Sequence, residues 1–161
     1  MASTYEPIAS ASLSAASQVE FTSLGSGYTD LVIVYHLTNS SGNQNLALQF
    51  NSDTGTNYSQ TFLAGTGSSA VSGRYSNLTG VIVDVYSYAS STNRAVGLLQ
   101  FMSYANTNVF KTVLSATASA ANGVERSVAL WRSTSAITSI KLFPGGGTIT
   151  GAVDLYGIKA A

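Results

Sequence analysis

The sequence predicts an all-β chain, a jelly-roll-like β-sandwich of about nine or ten strands with an extended N-terminal arm. Three observations predict it. Short β-type runs recur along the chain, separated by Gly, Ser and Asn clusters about every 10 to 15 residues. Residues 30–37 (DLVIVYHL), 80–88 (GVIVDVYSY) and 95–104 (AVGLLQFMSY) are apolar at both parities, as strands packed on two sides are. No window carries the 3.6-residue spacing of an amphipathic helix.

Taken in order, residues 1–16 are small and polar and read as an extended arm that lies against something else. Tyr5 and Pro7 lead it, and Ile8 and Leu13 are its anchors. Val19 and Phe21 alternate with Glu20 and Thr22 in a first strand. Residues 30–37 are expected at the centre of the sandwich, with Leu31, Ile33, Tyr35 and Leu37 on one face and Val32, Val34 and His36 on the other. Leu46, Leu48 and Phe50 alternate with polar or small residues in a half-buried strand. Residues 51–58 (NSDTGTNY) are a dense turn cluster, and residues 61–64 a short strand. Residues 65–77, rich in Gly and Ser, read as a loop that presents Arg74 and Tyr75. Strands follow at 80–88, 95–104, 109–116 and 124–131, the last two separated by a small-residue turn around Asn122 and Gly123. Residues 137–143 form another strand, Pro144 to Gly147 break it, and residues 149–158 close the chain. No repeat, linker or shift in composition divides the 161 residues, so a single domain is expected.

Only 9% of the residues are charged, against about 25% in an ordinary domain, and the formal net charge is zero. Such a chain has no electrostatic footprint for nucleic acid or for anionic lipid. It also lacks the self-repulsion that keeps free monomers apart, which suits a protein working inside an assembly. With no cysteine, disulfides and thiolate metal ligands are excluded. The longest apolar run, about seven residues, falls short of the roughly 20 of a membrane-spanning helix. Residues 1–18 lack the basic start and apolar core of a signal peptide, so synthesis in a cytoplasm is expected.

Chemistry-bearing motifs are sparse. The single histidine, His36, reads as a core or interface imidazole, because no nucleophile and orienting carboxylate accompany it. The seven carboxylates are scattered, whereas glycoside hydrolysis needs two that face each other across a bond. Asp84 and Asp154 lie mid-strand and are expected to point outward or pair with arginine. Asn51, Asp53, Gly55 and Asn57 resemble the start of a calcium loop. The residue where the distal Glu belongs is Phe62, and the flanks are strands, so a turn built by Asn and Asp side chains on backbone amides is expected instead. No metal and no cofactor are expected. Trp131, Tyr28, Tyr58, Tyr75, Tyr88 and Tyr104 could build a sugar-stacking platform; core or interface packing is the expected use, with Tyr75 best placed for exposure.

Several blocks acquire meaning together: YTDLVIV from Tyr28, FNSDTGTNYS from Phe50, YANT from Tyr104, FKTV from Phe110, WRSTSAITSI from Trp131 and AVDLYGI from Ala152. In this combination and order the chain resembles a family of tailed-bacteriophage virion proteins, over nearly its whole length. It departs from the family's pattern at Ser52, where Gly is commoner, and in a closing strand made more polar by Asp154. The resemblance implies a β-sandwich structural module with no catalytic residues to carry over. Asn51, Asp53, Gly55 and Tyr58 would shape the turn, Trp131 and Tyr156 would pin strand ends, and Gly157 would allow close backbone approach. Members of that family are capsid decoration (cement) proteins or tail, fibre and neck components, and a 161-residue chain that reads as all sandwich and arm suits the first, a non-enzymatic decoration protein on the exterior of the virion. Such a protein forms a homo-oligomer, with a trimer expected, and docks on the major capsid protein through the arm (Tyr5, Pro7, Ile8, Leu13) and one sandwich edge. The alternative is a tail, fibre or neck module for host recognition, holding a host surface glycan through Arg74 and Tyr75. A glycan-degrading enzyme is the third reading, and it needs paired carboxylates in a groove.

Overall fold

A computed structural model describes residues 4–159, which contain strands and turns and no helix. Twelve strands run in the order β1 Tyr5–Ala16, β2 Val19–Phe21, β3 Asp30–Asn39, β4 Leu46–Phe50, β5 Tyr58–Gly65, β6 Ala70–Leu78, β7 Val81–Ile82, β8 Ala95–Met102, β9 Lys111–Ser119, β10 Gly123–Trp131, β11 Ile140–Pro144 and β12 Ile149–Ile158. The all-β sandwich expected from the sequence is what forms, with somewhat more strands than expected. An eight-stranded sheet has the order β1-β12-β3-β8-β9-β10-β5-β6, and a four-stranded sheet the order β2-β11-β4-β7. Every pairing is antiparallel.

One hydrophobic cluster fills the space between the sheets. Leu31, Ile33, Tyr35 and Leu37 of β3 and Leu99 and Phe101 of β8 meet Leu48 and Phe50 of β4 and Ile140 and Leu142 of β11. Period-2 alternation places each of them inward. Phe50 sits at an aromatic focus, edge-on to Phe101 at 5.8 Å and 5.5 Å from the ring of Trp131.

Four expectations are corrected. Strand β3 is buried on both sides only at Val32, which is 3% exposed; on the same face Val34 is 40% exposed and His36 is exposed. The smaller sheet covers the inner face of the larger one, and no described element lies over the outer face. Residues 65–77 are not a loop, because β6 occupies most of them and carries Arg74 and Tyr75 on the sheet edge. Its Gly and Ser residues are tolerated there because an edge strand needs main-chain partners on one side only. The strand expected over 80–88 shrinks to β7. Val83 still donates to the Leu46 carbonyl, but the Leu46 N–H goes to the Asp84 carboxylate at 2.6 Å instead of continuing the ladder. Asp84 therefore points inward, unpaired with any arginine, and is fully buried.

The arm is extended and rests on the chain's own last strand, from Tyr5 opposite Ile158 to Ala16 opposite Ile149. Two register shifts interrupt this pairing, one across Ile8 and one between Leu13 and Ala16.

Gly97 shows how tightly the inner face is fitted. The Tyr35 ring crosses it so closely that an added Cβ would lie 2.3 Å from a ring carbon. Tyr35 is 1% exposed and cannot withdraw. Gly97→Ala is expected to lower stability by about 1–3 kcal/mol in denaturant unfolding, through overpacking of the core; an unchanged midpoint would refute this fit.

Candidate functional site

Three features lie outside ordinary core packing: the outer face of the large sheet, a turn-to-loop clasp, and a buried acidic cluster.

The outer face is apolar. Val34 of β3, Val96, Leu98 and Met102 of β8, Leu114 of β9, Val124 and Val128 of β10 and Leu63 of β5 all point to it. Val124 and Leu63 are 61% and 59% exposed. A trough of about 810 Å³ runs across this face, where the small Ala116 and Ala118 of β9 lie between larger neighbours. Monomers rarely expose so large a contiguous patch without a use for it. The polar groups on it include Asp30 and His36 of β3, Gln100 of β8, Thr112 of β9, Arg126 of β10 and Thr61 of β5, with Asp154 at its β12 side and Arg74 at its β6 edge; Gln100 donates to the Asp30 carboxylate.

The clasp joins two of the blocks singled out in the sequence. Asn51 and Ser52 have φ of +51° and +57°, and the Asp53 N–H closes on the Phe50 carbonyl at 2.8 Å. Two left-handed central residues and that bond are the marks of a type I′ turn. The Asp53 carboxylate accepts from the Gly55 N–H at 2.8 Å, from Asn57 Nδ2 and from Trp131 Nε1 at 2.7 Å. The turn is therefore built by side chains on backbone amides, as expected. The Trp131 bond, followed by those from Asn57 and Gly55, holds the Asp53 carboxyl below its ordinary range despite some desolvation. Asn51 completes the clasp: its Nδ2 donates to the Ala136 carbonyl, and its Oδ1 accepts from the N–H groups of Thr138 and Ser139. Tyr58 lies parallel to Trp131 at 6.3 Å and donates its hydroxyl to the Asp53 carbonyl. Burial pushes the Tyr58 phenol up to about 12.

The other quoted blocks meet as well. The Tyr28 ring lies across Gly157, within 2.2 Å of where a Cβ would stand, and the Tyr104 hydroxyl donates to the Gly25 carbonyl. Trp131, Tyr58 and Tyr104 are thus core residues and share no exposed platform. Tyr75 stacks on Phe62 at 5.7 Å, at the sheet edge. Arg74 is exposed beside it. Tyr156 is half-buried on β12, in register with Val32 and Pro7. Of the arm residues, Tyr5 and Pro7 are exposed, whereas Ile8 and Leu13 pack against the core.

The buried cluster was not anticipated. Across the inner face, Tyr35, Gly97, Thr117 and Glu125 stand in one register row. Asp84 approaches from the segment after β7. Glu125 Oε2 accepts from the Tyr86 N–H at 2.8 Å, and the Thr117 and Ser87 hydroxyls are 2.5 Å apart. Tyr35 Oη, Asp84 Oδ2 and Glu125 Oε1 have no hydrogen-bond partner among the described residues. Burial, and secondarily the mutual repulsion, raises Asp84 well above the usual carboxyl range. Burial raises Glu125, and burial with both carboxylates raises Tyr35. Asp84 and Glu125 are a carboxylate pair, but at 0% and 3% exposure they lie inside the core and not in a groove. Strand parity from Ala129 and Trp131 already places Glu125 inward; the run of valines around Asp84 hides it.

No protein-family model matches the sequence, and no curated protein does. Among solved structures, the fold is similar to Caenorhabditis elegans galectin LEC-6, at 10% identity over 94% of this chain and 95% of that one, with a TM-score of 0.41. A mutant of alginate lyase Aly36B in complex with an alginate tetrasaccharide aligns at 11% identity over 89% of this chain and 80% of that one, with a TM-score of 0.41. Sheep galectin-11 aligns at 12% identity over 89% and 99%, with a TM-score of 0.38. At these identities the likeness concerns the fold alone.

Two stability predictions follow from this geometry. A glycine at the second central position of a type I′ turn relieves left-handed strain, so Ser52→Gly is expected to stabilise by about 0.5–1 kcal/mol in chemical denaturation. A loss of stability would contradict the turn assignment. Asp84 holds its proton in the folded chain at pH values where the unfolded chain has released it. Its contribution to stability therefore declines as pH rises from about 4 through the raised folded pKa. Asp84→Asn keeps an acceptor for Leu46 and removes the need to take up that proton on folding. It is expected to gain about 1–3 kcal/mol at pH 7, with the gain shrinking below about pH 4. Thermal unfolding across pH tests this, and a destabilised variant at pH 7 would sink the cost assigned to burying this ionisable carboxyl.

Proposed function

We propose that this chain is a non-enzymatic structural module that works inside an assembly, as a virion protein decorating the exterior of a bacteriophage capsid. The observation that carries the assembly reading is the apolar outer face of the eight-stranded sheet. Burying apolar side chains that are two-fifths or more exposed is the driving force such a surface offers. The charge-poor composition supports the same reading, because nothing on this surface repels neighbouring copies. The capsid assignment rests on the resemblance of the sequence blocks to those of phage virion proteins. Their mutual contacts in the clasp, and in the Tyr28–Gly157 approach, give those blocks a common fold-building purpose.

In this reading the chain forms a homo-oligomer and binds the major capsid protein through exposed sheet edges, where Tyr5 and Pro7 lie on β1 and Arg74 and Tyr75 on β6. A protein that binds the assembled shell and not its dissociated subunits stabilises the shell by mass action. Adding the purified chain to undecorated shells should raise their melting temperature and saturate on the order of hundreds of copies per particle, in step with shell symmetry. Saturation at a handful of copies would move the chain to the tail, and no binding would overturn the reading.

A further inference from the structure

The outer face invites a partner, and two opposite charges in one row indicate which; its other acid, Asp30 at the end of β3, is already held by Gln100 and the Ser103 N–H. Register runs unbroken across the large sheet from Asp154 of β12 through Val34 of β3, Leu98 of β8 and Ala116 of β9 to Arg126 of β10. The acid and the base therefore stand in one row, each two strands from β8, about 10 Å to either side at the usual strand spacing. Among the described residues the only ion pair is Glu6 with Lys159, so neither charge has an ionic partner within the chain. We propose that the face is covered by a second copy of this chain, related by a two-fold axis that runs along β8 over Leu98.

Charge selects that axis. Two sheets stacked face to face by a two-fold need an axis lying between them. An axis along the strands exchanges the two sides of β8, so Asp154 of each copy faces Arg126 of the other. An axis across the strands would place Asp154 on Asp154 and Arg126 on Arg126, with like charges losing water together. Shape selects the same arrangement. Exchange about β8 sets the β3 side chains Val34 and His36 over Ala116 and Ala118 of the partner, the small residues of the trough, while Leu98 meets its own equivalent. The contact is isologous, as two-fold contacts are. Five strands over about eight residues make a patch of about 24 by 26 Å. Pairing two such patches buries about 1,200 Å² or more, the lower bound of a specific interface. The sheets would stack aligned, as in ordinary sandwiches, about 10 Å apart.

This inference rests on the reading of the chain as an assembly protein and names the copy that covers the face. The full chain, free of any shell, is examined by sedimentation equilibrium from about 1 to 100 µM, a range that reports micromolar association. A dimer is expected. Arg126→Asp or Asp154→Arg alone should weaken it at least about tenfold, and the double reversal should restore it to within about threefold. Leu98→Arg should leave a monomer. All these side chains point away from the core, and circular dichroism and the melting temperature verify that each variant is folded. A monomeric wild type, a threefold association, or a dimer indifferent to both single reversals overturns the proposal. Shell binding is measured separately with the same proteins. A wild type that is monomeric yet saturates shells refutes the pairing and spares the capsid reading; a swap-dependent dimer that ignores shells does the reverse.

Discussion

The structure depends on an inequality between its layers. Eight strands face four, so the smaller sheet can cover only the inner side of the larger one. The inner residues of β3 and β8 are buried to completion, while Val34, Val96 and Leu98, one residue away along the same strands, remain open. A strand apolar at both parities normally announces two covering layers. Here the chain supplies one layer, and the second parity of β3 and β8 is left largely open. The same inequality explains why His36, read as a core or interface imidazole, stands on the open side.

The second organising contact is the Asp53–Trp131 bond. It ties a type I′ turn to the end of β10, and through Asn51 it reaches the loop that leads into β11. Both sheets are thereby locked at one end: β4 and β11 belong to the small sheet, and β5 and β10 to the large one. A carboxylate accepting several short bonds from fixed donors is a stronger clamp than its partial exposure suggests. Ser52 fits poorly in this arrangement, since its left-handed backbone favours a residue without a side chain. The distinctive blocks of the sequence are thus contact partners. NSDTGTNY needs WRSTSAITS as a source of donors and acceptors, and the Tyr28 ring needs Gly157 as the one place it can lie.

Period-2 patterning and turn chemistry made most of the fold legible: β2, β4, β8, β10 and β12 fall where alternation places them, and the turns at Asn51 and Asn122 where side-chain chemistry does. The failures share a cause. Segment 65–77 looks like a loop because an edge strand need not be apolar, and its strand character comes from pairing with β5, which no local window contains. Segment 80–88 looks like a strand because its valines carry β propensity, but the Asp84 carboxylate captures a ladder N–H and ends it. The outer face was half legible: its apolar residues are visible in β3 and β8, but whether they meet a second layer depends on how many strands each sheet holds. The buried cluster was least legible, because Tyr35, Asp84 and Glu125 converge from three distant segments.

Sheets can grow by strand addition at their edges or stack by their faces, and here the edges discourage strand addition while leaving their side chains free for contacts. Strand β1 carries Pro7, which cannot donate to an added strand, and it departs from register twice, with Ala15 at a φ of +50°. Strand β6 breaks register opposite Tyr58 and Gln60 of β5, and it carries exposed Arg74 along its rim. Both are devices that discourage continuous strand addition. The face is less defended: across β3, β8 and β9 its one carboxylate is Asp30, at the end of β3 and held by Gln100 and the Ser103 N–H, while Asp154 and Arg126 stand at its sides. Edges that discourage strand addition beside an open apolar face leave the face as the surface on which the proposed pairing would be made.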